Sequence, residues 1–224
     1  YSGVAFKSLY FVFITMIAAI ACFVLAADFF SANPETAIVL LVAAPIIAFI
    51  CSMVAIFAPS TTPVTGTLYA VCQGLSMGFI SLILESAYQG VVFAALISTI
   101  TVLLVMTVLY STGLIRVGAF FKKFMLSALI GILVTQLLIL LLGLIFPQIY
   151  GLFYGNSALS IGISVIMVIV ASLMILFDLN RITEVVEGGM DKRYEWVAAF
   201  GLLITLIWLY LEFLRLFAKI ASRK

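Results

Sequence analysis

The chain has 224 residues, 66% of them hydrophobic and 9% charged, against about 45–50% and about 25% in soluble domains, so it reads as a membrane protein whose first partner is the lipid bilayer. The 11 Lys and Arg against 9 Asp and Glu leave a net charge of +2, with no clustered basic patch, which excludes a nucleic-acid surface. Histidine is absent. That removes Ser-His-Asp and Cys-His catalysis and the commonest zinc ligand, and the chain is expected to be no enzyme and to carry no resident cofactor.

A bilayer core needs about 20 mostly apolar residues per helix, and seven such runs follow one another. The first, 8–30, exceeds the apolar core of a signal peptide and leads straight into further spans, so it is expected to remain as an anchor. Asn33-Pro34-Glu35 precedes the second, 37–58, and Pro59-Ser60-Thr61-Thr62-Pro63 separates it from the third, 64–84. The fourth, 91–112, ends at Gly113, and a cationic stretch with Arg116, Lys122 and Lys123 leads to the fifth, 124–146, which Pro147 stops. A polar, aromatic loop over 148–158 precedes the sixth, 159–182. Gly188-Gly189 marks a charged turn before the seventh, 195–216. The expectation is an all-α polytopic membrane protein, a seven-transmembrane-helix bundle forming one domain over 1–224. Cys22, Cys51 and Cys72 each lie inside an apolar run without C-x-x-C spacing and read as small buried residues.

Lys and Arg accumulate in cytoplasmic loops. Lys7 precedes the first run, three cations lie between the fourth and fifth, and Arg181, Lys192 and Arg193 lie between the sixth and seventh. The alternate loops carry none. The N-terminus is therefore expected in the cytoplasm. A full crossing of the seventh run, preferred on its length, puts the tail with Arg215, Lys219, Arg223 and Lys224 outside, against the rule; a re-entrant last segment would put it inside.

A charged side chain inside a span costs about 2.5–3.5 kcal/mol on insertion scales and is paired or functional when present. Asp28 and Glu85 fall near helix ends and read as interfacial. Asp178 directly follows an unbroken apolar stretch, Leu173 to Phe177, with Arg181 three residues on. Glu212, in Trp208-Leu209-Tyr210-Leu211-Glu212-Phe213, has Arg215 at i+3 and Lys219 at i+7. Each acid reads either as an interfacial ion pair or as a group facing the bundle interior, where desolvation and repulsion between carboxylates favour binding a proton. The Gly74-x-x-x-Gly78 face in Gln73-Gly74-Leu75-Ser76-Met77-Gly78 predicts close helix approach. Gln136 needs an interhelical partner or water.

These residues also carry a likeness. Phe177-Asp178, the stretch from Leu209 to Phe217, Gln73 to Gly78, and Tyr194-Glu195-Trp196-Val197-Ala198-Ala199-Phe200-Gly201 together resemble the Bax inhibitor motif family, in its bacterial branch. The resemblance implies a bundle with the last helix central, in a bacterial plasma membrane, acting as a pH-sensitive passive calcium leak. It implies that Asp178 and Glu212 form a carboxylate pair, serving as proton sensors and as oxygen ligands of a transient Ca2+; Gln73, which stands where the family often has Glu, Gln136, Arg181 and Arg215 read as supporting residues. Counting 1.5 Å per residue from the expected helix ends instead puts the two acids about 20 Å apart along the bundle axis. A different reading makes the chain a non-conducting regulator that binds other membrane proteins, such as a protease or a stress-response complex. An intramembrane hydrolase would have only two carboxylates to work with.

Overall fold

The computed structural model describes the backbone of residues 1–32, 34–155 and 157–223, and their side chains except at 25–41 and 152. The expected interfacial role of Asp28 lies outside the described side chains. Among the described residues the secondary structure is entirely helical: α1 (Ser2–Ala32), α2 (Pro34–Phe57), a 3-10 turn (Pro59–Thr61), α3 (Thr62–Ala87), α4 (Val91–Ser111), α5 (Ala119–Ile145), α6 (Gln148–Tyr154), α7 (Ala158–Glu187) and α8 (Lys192–Ala221). Hydrocarbon offers no partner for a free backbone N–H or C=O, so apolar runs of this length close their hydrogen bonds within a helix. Six described helical segments are long and apolar enough to cross a bilayer, and α2 adds a shorter apolar stretch, Val42–Phe57. The chain is an all-α polytopic membrane protein.

Several helices overrun the apolar runs that predict them. α7 continues five residues past 182, to Glu187, and α8 starts at Lys192 rather than 195. A drop in hydropathy marks where the membrane ends, not where the backbone stops coiling, and Arg181, Glu184 and Glu187 are tolerated in an aqueous helical turn. What stops α7 is backbone geometry. Gly189, at φ 61°, takes the left-handed conformation, with its N–H on the Val186 carbonyl and the Met190 N–H on the Val185 carbonyl. This is the paired closure of a helix C-terminus that glycine makes accessible. Asp191 then opens α8 by accepting the Arg193 amide at 3.1 Å, the role of an N-cap carboxylate. That bond, and the Arg193 guanidinium at 3.0 Å, hold the Asp191 carboxyl below its ordinary value. The segment expected as a loop over 148–158 contains α6, since Pro147 sits just before the first helical position, where its missing N–H costs nothing.

Contacts group the chain into two compact units, Tyr1–Gln89 with Arg181–Ile204, and Gly90–Asn180 with Thr205–Lys224. In the first, Gly74 and Gly78 of α3 lie directly on α1: a Cβ at Gly74 would stand 2.5 Å from the Thr15 carbonyl oxygen, and one at Gly78 would stand 2.3 Å from that of Ala19. The Gly-x-x-x-Gly face is thus a packing seam. Beside it Phe11, Phe200, Tyr69 and Trp196 form an aromatic cluster, with Tyr69 and Phe200 edge to face at 5.0 Å and Phe11 against Trp196 at 5.5 Å. At one end of this unit Lys7 pairs with Glu195, the Tyr1 hydroxyl donates to Glu187 at 2.7 Å, and Pro59 and Ser60 share a cavity with Lys192 and Arg193. The N-terminus, the α2–α3 connection and the α7–α8 turn are therefore neighbours, as alternate crossings require. In the second unit α5, α6, the first part of α7 and the last part of α8 enclose the site described next.

The most apolar window of α8 is 72% buried, against 11% for those of α4 and α5. Among the described spans α8 is the most buried. Cys22, Cys51 and Cys72 are buried free thiols, as expected.

Candidate functional site

Three polar residues recur at seven-residue spacing on α8: Thr205, Glu212 and Lys219. Seven residues are almost two full turns, so they form one stripe, each about 10 Å of rise from the next. All three are buried, at 4%, 2% and 5% exposure. A buried polar group in a membrane needs a partner, and each member of the stripe has one.

Thr205 donates its hydroxyl to Asp178 Oδ2 at 2.5 Å, and Asp178 is itself 4% exposed. Glu212 Oε1 accepts the Trp208 indole N–H at 3.1 Å and Arg215 Nη1 at 3.0 Å, and the same Arg215 nitrogen lies 3.1 Å from Oε2. Lys219 Nζ donates to Ser160 Oγ at 2.6 Å, to Ser164 Oγ at 2.9 Å, and to the carbonyls of Phe153 and Ser160 at 3.1 and 3.2 Å. Ser160 and Ser164 are four residues apart on α7, so both hydroxyls present on one face of that helix. The Arg215 guanidinium also sits 5.7 Å over the Tyr154 ring, a cation–π distance, and the Tyr154 hydroxyl donates to Gln136 Oε1. Gln136, Tyr154, Ser164, Glu212, Arg215 and Lys219 line one cavity of about 350 Å³ whose remaining wall is apolar except for Thr135.

The residues singled out in the sequence are distributed as follows. Glu212, Arg215 and Gln136 meet around this cavity. Asp178, on α7, lies at the level of Thr205, two helical turns along α8 from Glu212, so the two acids stand in series along the stripe with different donors. This spacing is about half of that counted from the expected helix ends, because α7 runs past 182. Arg181 is exposed, one turn beyond Asp178, and Gln73 is half-buried on α3 in the other unit. Among the described residues no group of three or more Cys, Asp or Glu side chains is placed to hold a metal ion. Lys219 escapes a reading of the sequence as a functional group because it falls in the basic tail. The signal that could have found it is the Ser160/Ser164 spacing at the start of the sixth run, a hydroxyl pair facing a helix whose only late polar residue at the right register is Lys219.

A family model described as Bax inhibitor 1 like matches residues 1–222. The chain belongs to the Bax inhibitor 1 like family. Among curated relatives, an uncharacterized membrane protein of Streptococcus pyogenes serotype M3 is 27% identical over 164 residues, covering 72% of this chain and 64% of that protein. The chain thus matches just under two thirds of that relative's length. Another uncharacterized membrane protein, from serotype M1, is 26% identical over 196 residues, covering 83% and 80%. The family match spans both units and includes the whole polar stripe of α8.

Proposed function

We propose that this Bax inhibitor-like protein is a pH-sensitive passive cation leak of the plasma membrane, with calcium as the permeant ion and a cytoplasmic N-terminus. The observation that supports this reading best is Asp178, a carboxylate enclosed within two apolar helices with a threonine hydroxyl as its hydrogen-bond donor. The charged and neutral forms of a carboxyl differ far more in solvation free energy in such a place than at a surface. Gain or loss of one proton there therefore changes how α7 and α8 pack. Glu212 is the second acid of the path, about 10 Å further along α8, and its ion pair with Arg215 neutralises it until the pair separates. Carboxylates suit a hard divalent cation, which takes oxygen ligands and keeps water when the protein supplies few. Two acids in series, neither in a closed cage, suit passage rather than storage.

The test is flux into liposomes carrying a calcium dye, between pH 6 and 8. Native protein is expected to admit calcium with a rate that changes across this range. Asp178→Asn, which fixes the neutral form, is expected to remove the pH dependence. Flux equal to that of empty vesicles overturns the proposal and leaves the non-conducting regulator, whose mark is a deletion phenotype that survives Asp178→Asn.

A further inference from the structure

The cavity at Lys219 has an excess of positive charge. Arg215 and Lys219 are two cations beside one carboxylate, Glu212, which already receives Arg215 and Trp208. The acceptors around the Lys219 ammonium are two serine hydroxyls and two carbonyls, all neutral. These satisfy its hydrogen bonds, but the one carboxylate near it, Glu212, is shared with Arg215, and a buried excess of one positive charge is expensive in low dielectric.

The space beside it is shaped for something that supplies one. Its wall on α5 runs from Ala128 to Ile139, eleven residues and about 16 Å of rise, so the cavity of about 350 Å³ is a slot that extends along the helix axis. One end holds Arg215, Lys219 and Ser164; the other is lined by Ala128, Met167 and Val170. Lys219 lies two residues before the end of α8 at Ala221, which puts the cationic end near the headgroup level and the apolar end deeper in the bilayer. The volume is at the small end of ligand pockets, about 300–1,000 Å³, enough for an anionic group and one hydrocarbon chain but not for a whole phospholipid.

We infer that this cavity binds an anionic amphipath, its phosphate or carboxylate head between Lys219 and Arg215 and one acyl chain along the slot. A membrane phospholipid and a free fatty acid both present that chemistry. The inference does not depend on ion flux.

The experiment uses the full chain, purified in a neutral maltoside detergent, with dodecyl phosphate as the probe and dodecanol and inorganic phosphate as controls. Dodecyl phosphate is expected to raise the thermal unfolding midpoint and to bind at least 10-fold more tightly than either control. Arg215→Gln, at a side chain 38% exposed, and Lys219→Met are each expected to weaken that binding at least 10-fold. Arg215→Gln keeps the test decisive if Lys219→Met fails to fold. Equal binding of dodecanol overturns the head-group recognition, equal binding of inorganic phosphate overturns the chain slot, and native affinity in Arg215→Gln overturns the site. Mass spectrometry of the species carried through purification, a diacyl phospholipid or a fatty acid, identifies the source.

Discussion

Gly78→Ala offers the sharpest test of the packing between α1 and α3. The added methyl carbon would stand 2.3 Å from the Ala19 carbonyl oxygen and 2.9 Å from the Cys22 Cβ. The nearer atom is backbone, so no side-chain rotation relieves the clash and α1 must move away by about 1 Å. Overpacking of this kind costs about 1–3 kcal/mol, while replacing a helical glycine by alanine returns up to about 1 kcal/mol of helix propensity. The net expectation is a loss of about 1–2 kcal/mol. Gly162→Ala, on α7, is the internal control: nothing lies within 4 Å of its added carbon, so it keeps only the propensity gain and should be neutral or up to about 1 kcal/mol more stable. Gly74→Ala, 2.5 Å from the Thr15 carbonyl oxygen, should resemble Gly78→Ala, and the double variant should cost less than the sum, because one displacement of α1 relieves both contacts. Unfolding in mixed micelles titrated with sodium dodecyl sulfate, followed by tryptophan fluorescence, reads these differences. If Gly78→Ala unfolds together with Gly162→Ala, the seam is not close-packed and the reasoning fails.

Thr205→Val keeps the shape of the side chain but removes the donor to Asp178; it should cost about 1–3 kcal/mol by leaving a buried acceptor short of a partner, and it should move the pH midpoint of calcium flux, which an unchanged midpoint would refute. Asp191 supplies a contrasting case. Its folded-state carboxyl is held below the ordinary value, so the stability it adds is complete above the unfolded value and is lost only as pH falls through the lowered folded one. It stays ionised from pH 6 to 8 in both states, and Asp191→Asn should leave the flux profile in that range unaltered. For topology, single cysteines placed at Lys7, Ser60 and Lys192 should react with an impermeant maleimide from one side and a cysteine at Gln148 from the other, read by gel shift in oriented vesicles; reaction of all four from one side would refute the crossing pattern.

Chain class and helix order were legible because hydrocarbon imposes a coarse rule, about 20 apolar residues per crossing, that survives any uncertainty about neighbours. The α3 glycines were legible for a similar reason, since few arrangements of backbone use a Gly-x-x-x-Gly face otherwise. Gly188-Gly189 marked the turn between α7 and α8, but the ends of the two helices were misjudged by hydropathy, which responds to Arg181 and Glu184 rather than to the left-handed Gly189 that ends α7. Asp178 stood out as a lone charge after Phe177, yet its partner Thr205 did not, because a single threonine in an apolar run ordinarily bonds to its own helix. Lys219 was hidden by company: among Arg215, Arg223 and Lys224 it reads as part of a solvated tail, and only the position of α6 and the two serines of α7 makes it an enclosed ammonium.

The burial of α8 also bears on how the protein is made. Each compact unit includes a stretch of the last helix, and the groups that meet Thr205, Lys219, Glu195 and Phe200 belong to segments translated before it. An isolated helix carrying Glu212, Arg215 and Lys219 would enter lipid against a charge of about 2.5–3.5 kcal/mol for each central ion. Arriving after them, it finds a serine pair, a carboxylate and a lysine already in place to receive its polar groups. Seating of α8 therefore completes both units: until it is in place each lacks a wall, Asp178 lacks its threonine, and the serine pair of α7 lacks its ammonium.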